Sequence, residues 1–139
     1  MNSGFRILEH PSDLGIEAWG PTLSDAFRQS AFGLVSIIVD PATVREREEK
    51  RLQVSGSGTD NLLVRWLSEL LYLYDGEDFL MANVEITSLN DFSVEAVVRG
   101  ERLDPVRHQS RLDVKAITYH QLKVTQENGI WAARVFLDI

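Results

Sequence analysis

A chain of 139 residues with 44% hydrophobic content can build one domain with a real core, expected to span residues 1–139. Cysteine is absent, which excludes disulfides and thiolate chemistry and fits a reducing, cytoplasmic compartment. The net charge of −7 argues against strong direct binding of RNA or DNA, because phosphate contacts need a basic footprint.

The densest basic segment, 45–51, is interleaved with Glu46, Glu48 and Glu49 and reads as a solvated mixed-charge stretch. No apolar run approaches the ~20 residues of a membrane span. The first six residues lack a basic start followed by an apolar region, so secretion is not expected.

Residues 5–9 alternate and predict a first strand, broken by His10-Pro11-Ser12-Asp13, and 15–19 resume the extended pattern. Thr22-Leu23-Ser24-Asp25 has the form of a capping box. Leu23, Ala26, Phe27, Ser30, Ala31, Leu34, Val35 and Ile38 then follow at helical spacing until Asp40-Pro41. Residues 42–50 predict a charged connector and 51–55 a short strand. After the turn at 57–60, Leu62, Leu63, Trp66, Leu67, Leu70, Leu71 and Tyr74 predict a second helix, ended by 75–78. Strands are expected at 80–88, 92–99 and 114–125, with Asn90-Asp91 as a hairpin turn and 101–112 as a polar excursion. A last strand is expected at 131–137, after the turn at Glu127-Asn128-Gly129. Two main helices among about seven strands predict an α+β fold: a largely antiparallel or mixed sheet with the helices packed on a face.

Three segments depart from plain apolar patterning: 10–15, 114–120 and 137–139. Read as a strand, 114–120 puts Ala116, Thr118 and His120 on one face and Lys115, Ile117 and Tyr119 on the other. His10, His108 and His120 are the chain's three histidines. Each could be a hydrogen-bonded structural residue, Asp13 a turn cap and Asp138 a strand-end charge facing water. Together, Asp13, Asp138 and a histidine also suit a divalent ion. No HExxH, EF-hand, P-loop or GxSxG motif occurs.

These landmarks resemble the archease family nearly end to end. His10-Pro11-Ser12-Asp13-Leu14-Gly15-Ile16 stands where that family usually reads His-Thr-Ala-Asp-Ile-Gly-Ile. Leu62-Leu63-Val64-Arg65-Trp66-Leu67-Ser68-Glu69-Leu70-Leu71-Tyr72 follows, with Ser68 for the usual Asn. Gly100-Glu101, His108, Val114-Lys115-Ala116-Ile117-Thr118-Tyr119-His120 and Asp138-Ile139 complete the set.

The resemblance implies a divalent-metal site (Ca²⁺, Mg²⁺ or Mn²⁺) held by Asp13 and Asp138. The terminal carboxylate of Ile139 is expected to share it, with His120, Lys115 and His10 in support. It also implies a role as a protein cofactor that is not itself an enzyme. The partner is an RtcB-type tRNA-splicing RNA ligase, whose guanylylation and repeated turnover the family promotes. That ligase uses GTP and Mn²⁺ to join a cyclic-phosphate or 3′-phosphate end to a 5′-hydroxyl end. The competing readings are a metal-dependent hydrolase built on Asp13, His120 and Asp138, and a general chaperone-like protein.

Overall fold

The computed structural model describes residues 2–139. Its strands are β1 (Gly4–Glu9), β2 (Leu14–Gly20), β3 (Glu48–Ser55), β4 (Phe79–Leu89), β5 (Ser93–Arg102), β6 (Ala116–Ile117), β7 (Lys123–Glu127) and β8 (Ile130–Asp138). The helices are α1 (Leu23–Ile38) and α2 (Thr59–Glu77), with a 3-10 turn at Pro41–Thr43.

The fold is α+β, and its pairing is antiparallel throughout, but there are two sheets rather than one. One runs β1-β2-β8-β6, with β7 also paired to β8; the other runs β3-β5-β4.

The capping box forms as the sequence predicts. Asp25 N–H donates to Thr22 Oγ1 at 3.1 Å and Thr22 N–H to Asp25 Oδ2 at 3.2 Å, satisfying two backbone donors that the first helical turn leaves over. The apolar face of α1 then packs against β1, β2 and β8 and also reaches β4, so the helix lies against both sheets. Gly33 permits the close approach: a Cβ there would sit 2.7 Å from Ile16 Cγ2.

α2 continues to Glu77, a turn beyond its last predicted apolar position, and ends on Asp78 in the left-handed region (φ 54°). Trp66 is fully buried and its indole N–H donates to Phe27 O at 3.1 Å, so the large ring enters the core with its one donor satisfied. Burial of a large apolar side chain contributes about 1.5–3 kcal/mol.

Two expected elements need correction. The strand predicted at 51–55 begins at Glu48 and takes up part of the charged connector. β3 pairs only with β5, and an edge strand can hold charge outward without burying it. The single strand predicted over 114–125 is broken. β6 is only Ala116–Ile117, and a turn at 118–122 with Gln121 at φ 52° precedes β7. The two-face alternation read across 114–120 therefore does not hold beyond Ile117.

Candidate functional site

Strand register assembles the site. Leu14 pairs with Leu137, so the register carried one residue further sets Asp13 opposite Asp138. Glu9 pairs with Leu14, which likewise sets His10 opposite Asp13, and Ala116 pairs with Asp138. Residues from both ends of the sequence thus form one row, His10, Asp13, Asp138, Ala116, on strands about 4.8 Å apart. Alternation places Ile16, Val135 and Leu137 in the core, where they are fully buried. Gly15 and Phe136 lie on the opposite, outer face, and the row lies there with them.

Phe136 is nonetheless buried, because two histidines cover it. The His10 ring meets it edge-on at 5.6 Å and the His120 ring at 5.9 Å. Gly15 leaves room for the phenyl ring: a Cβ there would stand 2.8 Å from Phe136 Cε1 and 3.1 Å from Leu8 Cβ. The interruption at 118–122 is what brings His120 over. Thr118 bonds to Phe136 O through both its N–H and its hydroxyl, each at 3.0 Å, and Thr118 Oγ1 accepts from His120 N–H at 3.2 Å. Tyr119 is tied down on the other side by Asn61 Nδ2, which donates to its hydroxyl at 2.6 Å.

Asp13 is the most informative member. Its side chain is 16% exposed, and its Oδ1 lies 3.1 Å from His10 Nδ1. That contact is not aligned as a hydrogen bond, so among the described residues Oδ1 is a buried carboxylate oxygen with no hydrogen-bond partner. Asp138 is exposed at its strand end, and Ile139 follows it.

Lys115 donates its backbone N–H to Asp138 O at 2.8 Å. Its ammonium makes no ion pair with Asp138, so the structure joins Lys115 to the site through its main chain.

Among the described residues no three His, Asp or Glu side chains stand close enough to hold an ion by themselves. The oxygen donors still suit a hard divalent cation. A buried, unpartnered carboxylate oxygen is costly, and a cation taken up beside it offsets that cost.

A second polar cluster supports the segment that leads into β6. Glu101 and His108 are both buried. Arg107 donates to Glu101 Oε2 at 2.6 Å and to Oε1 at 2.8 Å, a bidentate pair. Asp104 N–H donates to His108 Nδ1 at 2.9 Å, so the imidazole proton sits on Nε2 and donates to Glu101 Oε2 at 2.9 Å. Arg45 N–H adds a bond at 2.8 Å. Hydrogen bonding from Arg107, then from Arg45 and His108, outweighs burial and holds the Glu101 carboxyl well below the usual carboxylate range. The sequence marks Glu101 and His108 only as landmarks in a polar excursion. Glu101 and Arg107, of opposite charge on either side of the Asp104-Pro105 turn, were the available signal for the cluster.

The family model described as "Archease protein family (MTH1598/TM1083)" matches residues 5–139. The chain belongs to the archease family. It is 32% identical to protein archease of Sulfolobus acidocaldarius, over 97% of this chain and 98% of that one. It is 34% identical to protein archease of Sulfurisphaera tokodaii, with the same shares covered.

The solution structure of protein 1598 of Methanobacterium thermoautotrophicum superposes with a TM-score of 0.82 at 29% identity, covering 98% of this chain and 99% of that one. The crystal structure of a Thermotoga maritima archease shares the fold, with a TM-score of 0.69 at 17% identity and 96% of each chain covered. The archease fold is thus the frame on which Asp13, Asp138, His10 and His120 converge.

Proposed function

We propose that this chain is a protein cofactor of an RtcB-type tRNA-splicing RNA ligase. On this reading it promotes guanylylation of the ligase and its repeated turnover, and it works through a divalent ion at Asp13, Asp138 and Ile139. Family membership supports the general role. The observation that carries the metal reading is the buried, unpartnered Oδ1 of Asp13 in register with Asp138.

A bound ion would supply positive charge to an otherwise acidic rim, able to draw in phosphate or carboxylate oxygens of a partner. The chain's own residues do the rest. The β1–β2 connection holds Asp13 in place, with His10 packed between it and the Phe136 ring. The 118–122 turn closes the other flank with His120. A net charge of −7 favours docking against a basic protein cleft over RNA.

The test is the rate of ligase guanylylation from GTP with and without this chain, beside Asp13→Asn. Stimulation by wild type that the variant loses supports the proposal, and no stimulation by wild type overturns it. Phosphoester hydrolysis by the chain alone would favour the metal-dependent hydrolase instead. The Thermotoga maritima protein's description as a "possible chaperone" gives the third reading its interest. Suppression of aggregation in unrelated clients, without ligase stimulation, would favour that one.

A further inference from the structure

The outer face of the five-stranded sheet carries a row of charge two residues along β8 from Phe136. Arg6 pairs with Glu17, Glu17 with Arg134, and Arg134 with Lys123. Glu17 is committed to Arg6, whose Nε donates to Glu17 Oε1 at 2.8 Å. Arg134 and Lys123 have no carboxylate within ion-pair distance among the described residues. Among the described residues, the one polar bond of the Arg134 side chain is a long one, from Nε to Gln121 O at 3.3 Å.

Like charges directly opposite each other on neighbouring strands destabilise a sheet. This protein has 21 acidic residues and 14 basic ones, so two cations set face to face run against its composition, and the one carboxylate beside them, Glu17 opposite Arg134, is already bonded to Arg6. Six cations, Arg6, Arg47, Lys50, Arg99, Arg107 and Arg111, each stand against a carboxylate; others stand alone, but Lys123 and Arg134 are set opposite each other on paired strands. Between Lys123 and Arg134 lies an open groove of about 100 Å³, also lined by Glu17, Thr125, Ala132 and Ala133. Thr125 lies on the same face as Lys123 and offers a hydroxyl donor. Arg6, Glu17, Arg134 and Lys123 together sum to a charge of two positive units, opposite in sign to the protein as a whole.

We propose that Lys123 and Arg134 form an oxyanion subsite, a seat for one phosphate group. It shares its face with the Asp13 and Asp138 row. Arg134 precedes Asp138 by four residues on one strand, so the two positions are about 13–14 Å apart. A phosphate seated there relieves the cross-strand repulsion and receives a guanidinium, an ammonium and a hydroxyl as donors. The subsite stands whether or not the ligase reading holds, since it is defined by binding to the isolated chain.

The test is an NMR titration of labelled, metal-free protein with sodium pyrophosphate, at ionic strength held constant with chloride. The expected result is saturable shifts at the amides of 123–125 and 132–134. Lys123→Gln and Arg134→Gln should each weaken binding about tenfold or more, and Lys123→Arg should retain it. Without pyrophosphate, Lys123→Gln should melt no lower than wild type, because the repulsion is gone; with it, wild type and Lys123→Arg should gain more in Tm than Lys123→Gln. A 3′-phosphorylated oligoribonucleotide that shifts the same amides at lower concentration than pyrophosphate identifies RNA as the source of the phosphate. Equal or weaker effects from it identify a free phosphate compound. Absence of localised shifts up to tens of millimolar pyrophosphate overturns the proposal. So does a response to polyglutamate with none to pyrophosphate, which would make the pair a contact for an acidic protein.

Discussion

Removing the charge of Glu101 tests whether the polar cluster under the 101–115 segment holds the fold together. Glu101 is 4% exposed and Arg107 29% exposed at their side chains. Glu101→Gln keeps the shape but leaves Arg107 without its counter-ion and sets amide N–H groups against donors from Arg107, Arg45 or His108. Breaking a buried ion pair from one side costs about 3–5 kcal/mol. Arg107 reaches solvent and can recover water, so the low end applies, about 3 kcal/mol, or a fall in Tm of about 10 °C for a chain of this length.

The pH dependence has a definite sign. The folded-state pKa of Glu101 is depressed by Arg107 foremost, so its contribution is complete above the ordinary glutamate pKa, about 4.3. It is lost as pH falls toward the lower folded-state value. Urea unfolding followed by tryptophan fluorescence, at several pH values between 7 and 3, should show the wild-type advantage intact above about pH 5 and shrinking below about pH 4. A loss under about 1 kcal/mol, or an advantage unchanged down to pH 3, would refute the reasoning.

Gly15→Ala should cost about 1–3 kcal/mol, because the new methyl meets Phe136 and Leu8; an unchanged Tm would mean the phenyl ring moves freely. Asn61→Ala removes the bond to the exposed Tyr119 and should speed hydrogen exchange in 118–122 while moving stability by about 1 kcal/mol or less, and unchanged exchange there would count against the tether. Asp138→Ala should abolish ligase stimulation and weaken divalent-ion binding by calorimetry. Its apo stability should stay within about 0.5 kcal/mol of wild type, since the side chain is exposed; a collapsed apo Tm would make Asp138 structural.

Elements with local causes were legible in the sequence. The Thr22–Asp25 cap and the helical spacing behind it fixed α1, and Asn90 caps its predicted hairpin by accepting from Phe92 and Ser93 N–H at 2.8 and 3.0 Å. The meeting of Asp13 and Asp138 was expected from resemblance, and the register that produces it has no local signature. Two sheets rather than one could not be read, because each strand's pattern reports a buried face and not which sheet it joins. The burial of Glu101 was hidden for a related reason. It lies at the end of β5, beside Gly100, where a Cβ would fall 1.8 Å from Leu80 O, and the strand's own alternation gives no hint of the ion pair waiting across the turn.

The broken strand at 114–125 did carry a signal, one of phase. Ile117 faces the core opposite Leu137, and Val124 faces it opposite Ala133. An odd-numbered and an even-numbered residue cannot share a face on one unbroken strand. Five residues, 118–122, stand opposite only Val135 and Phe136, and this odd surplus resets the alternation. Without it, β6 in its present register would carry Lys123 inward beneath the helices and Val124 outward to solvent. With it, Val124 stays on the core face, His120 is lifted onto Phe136, and Lys123 comes out opposite Arg134. One interruption therefore builds a flank of the candidate metal site and sets out the neighbouring cation pair.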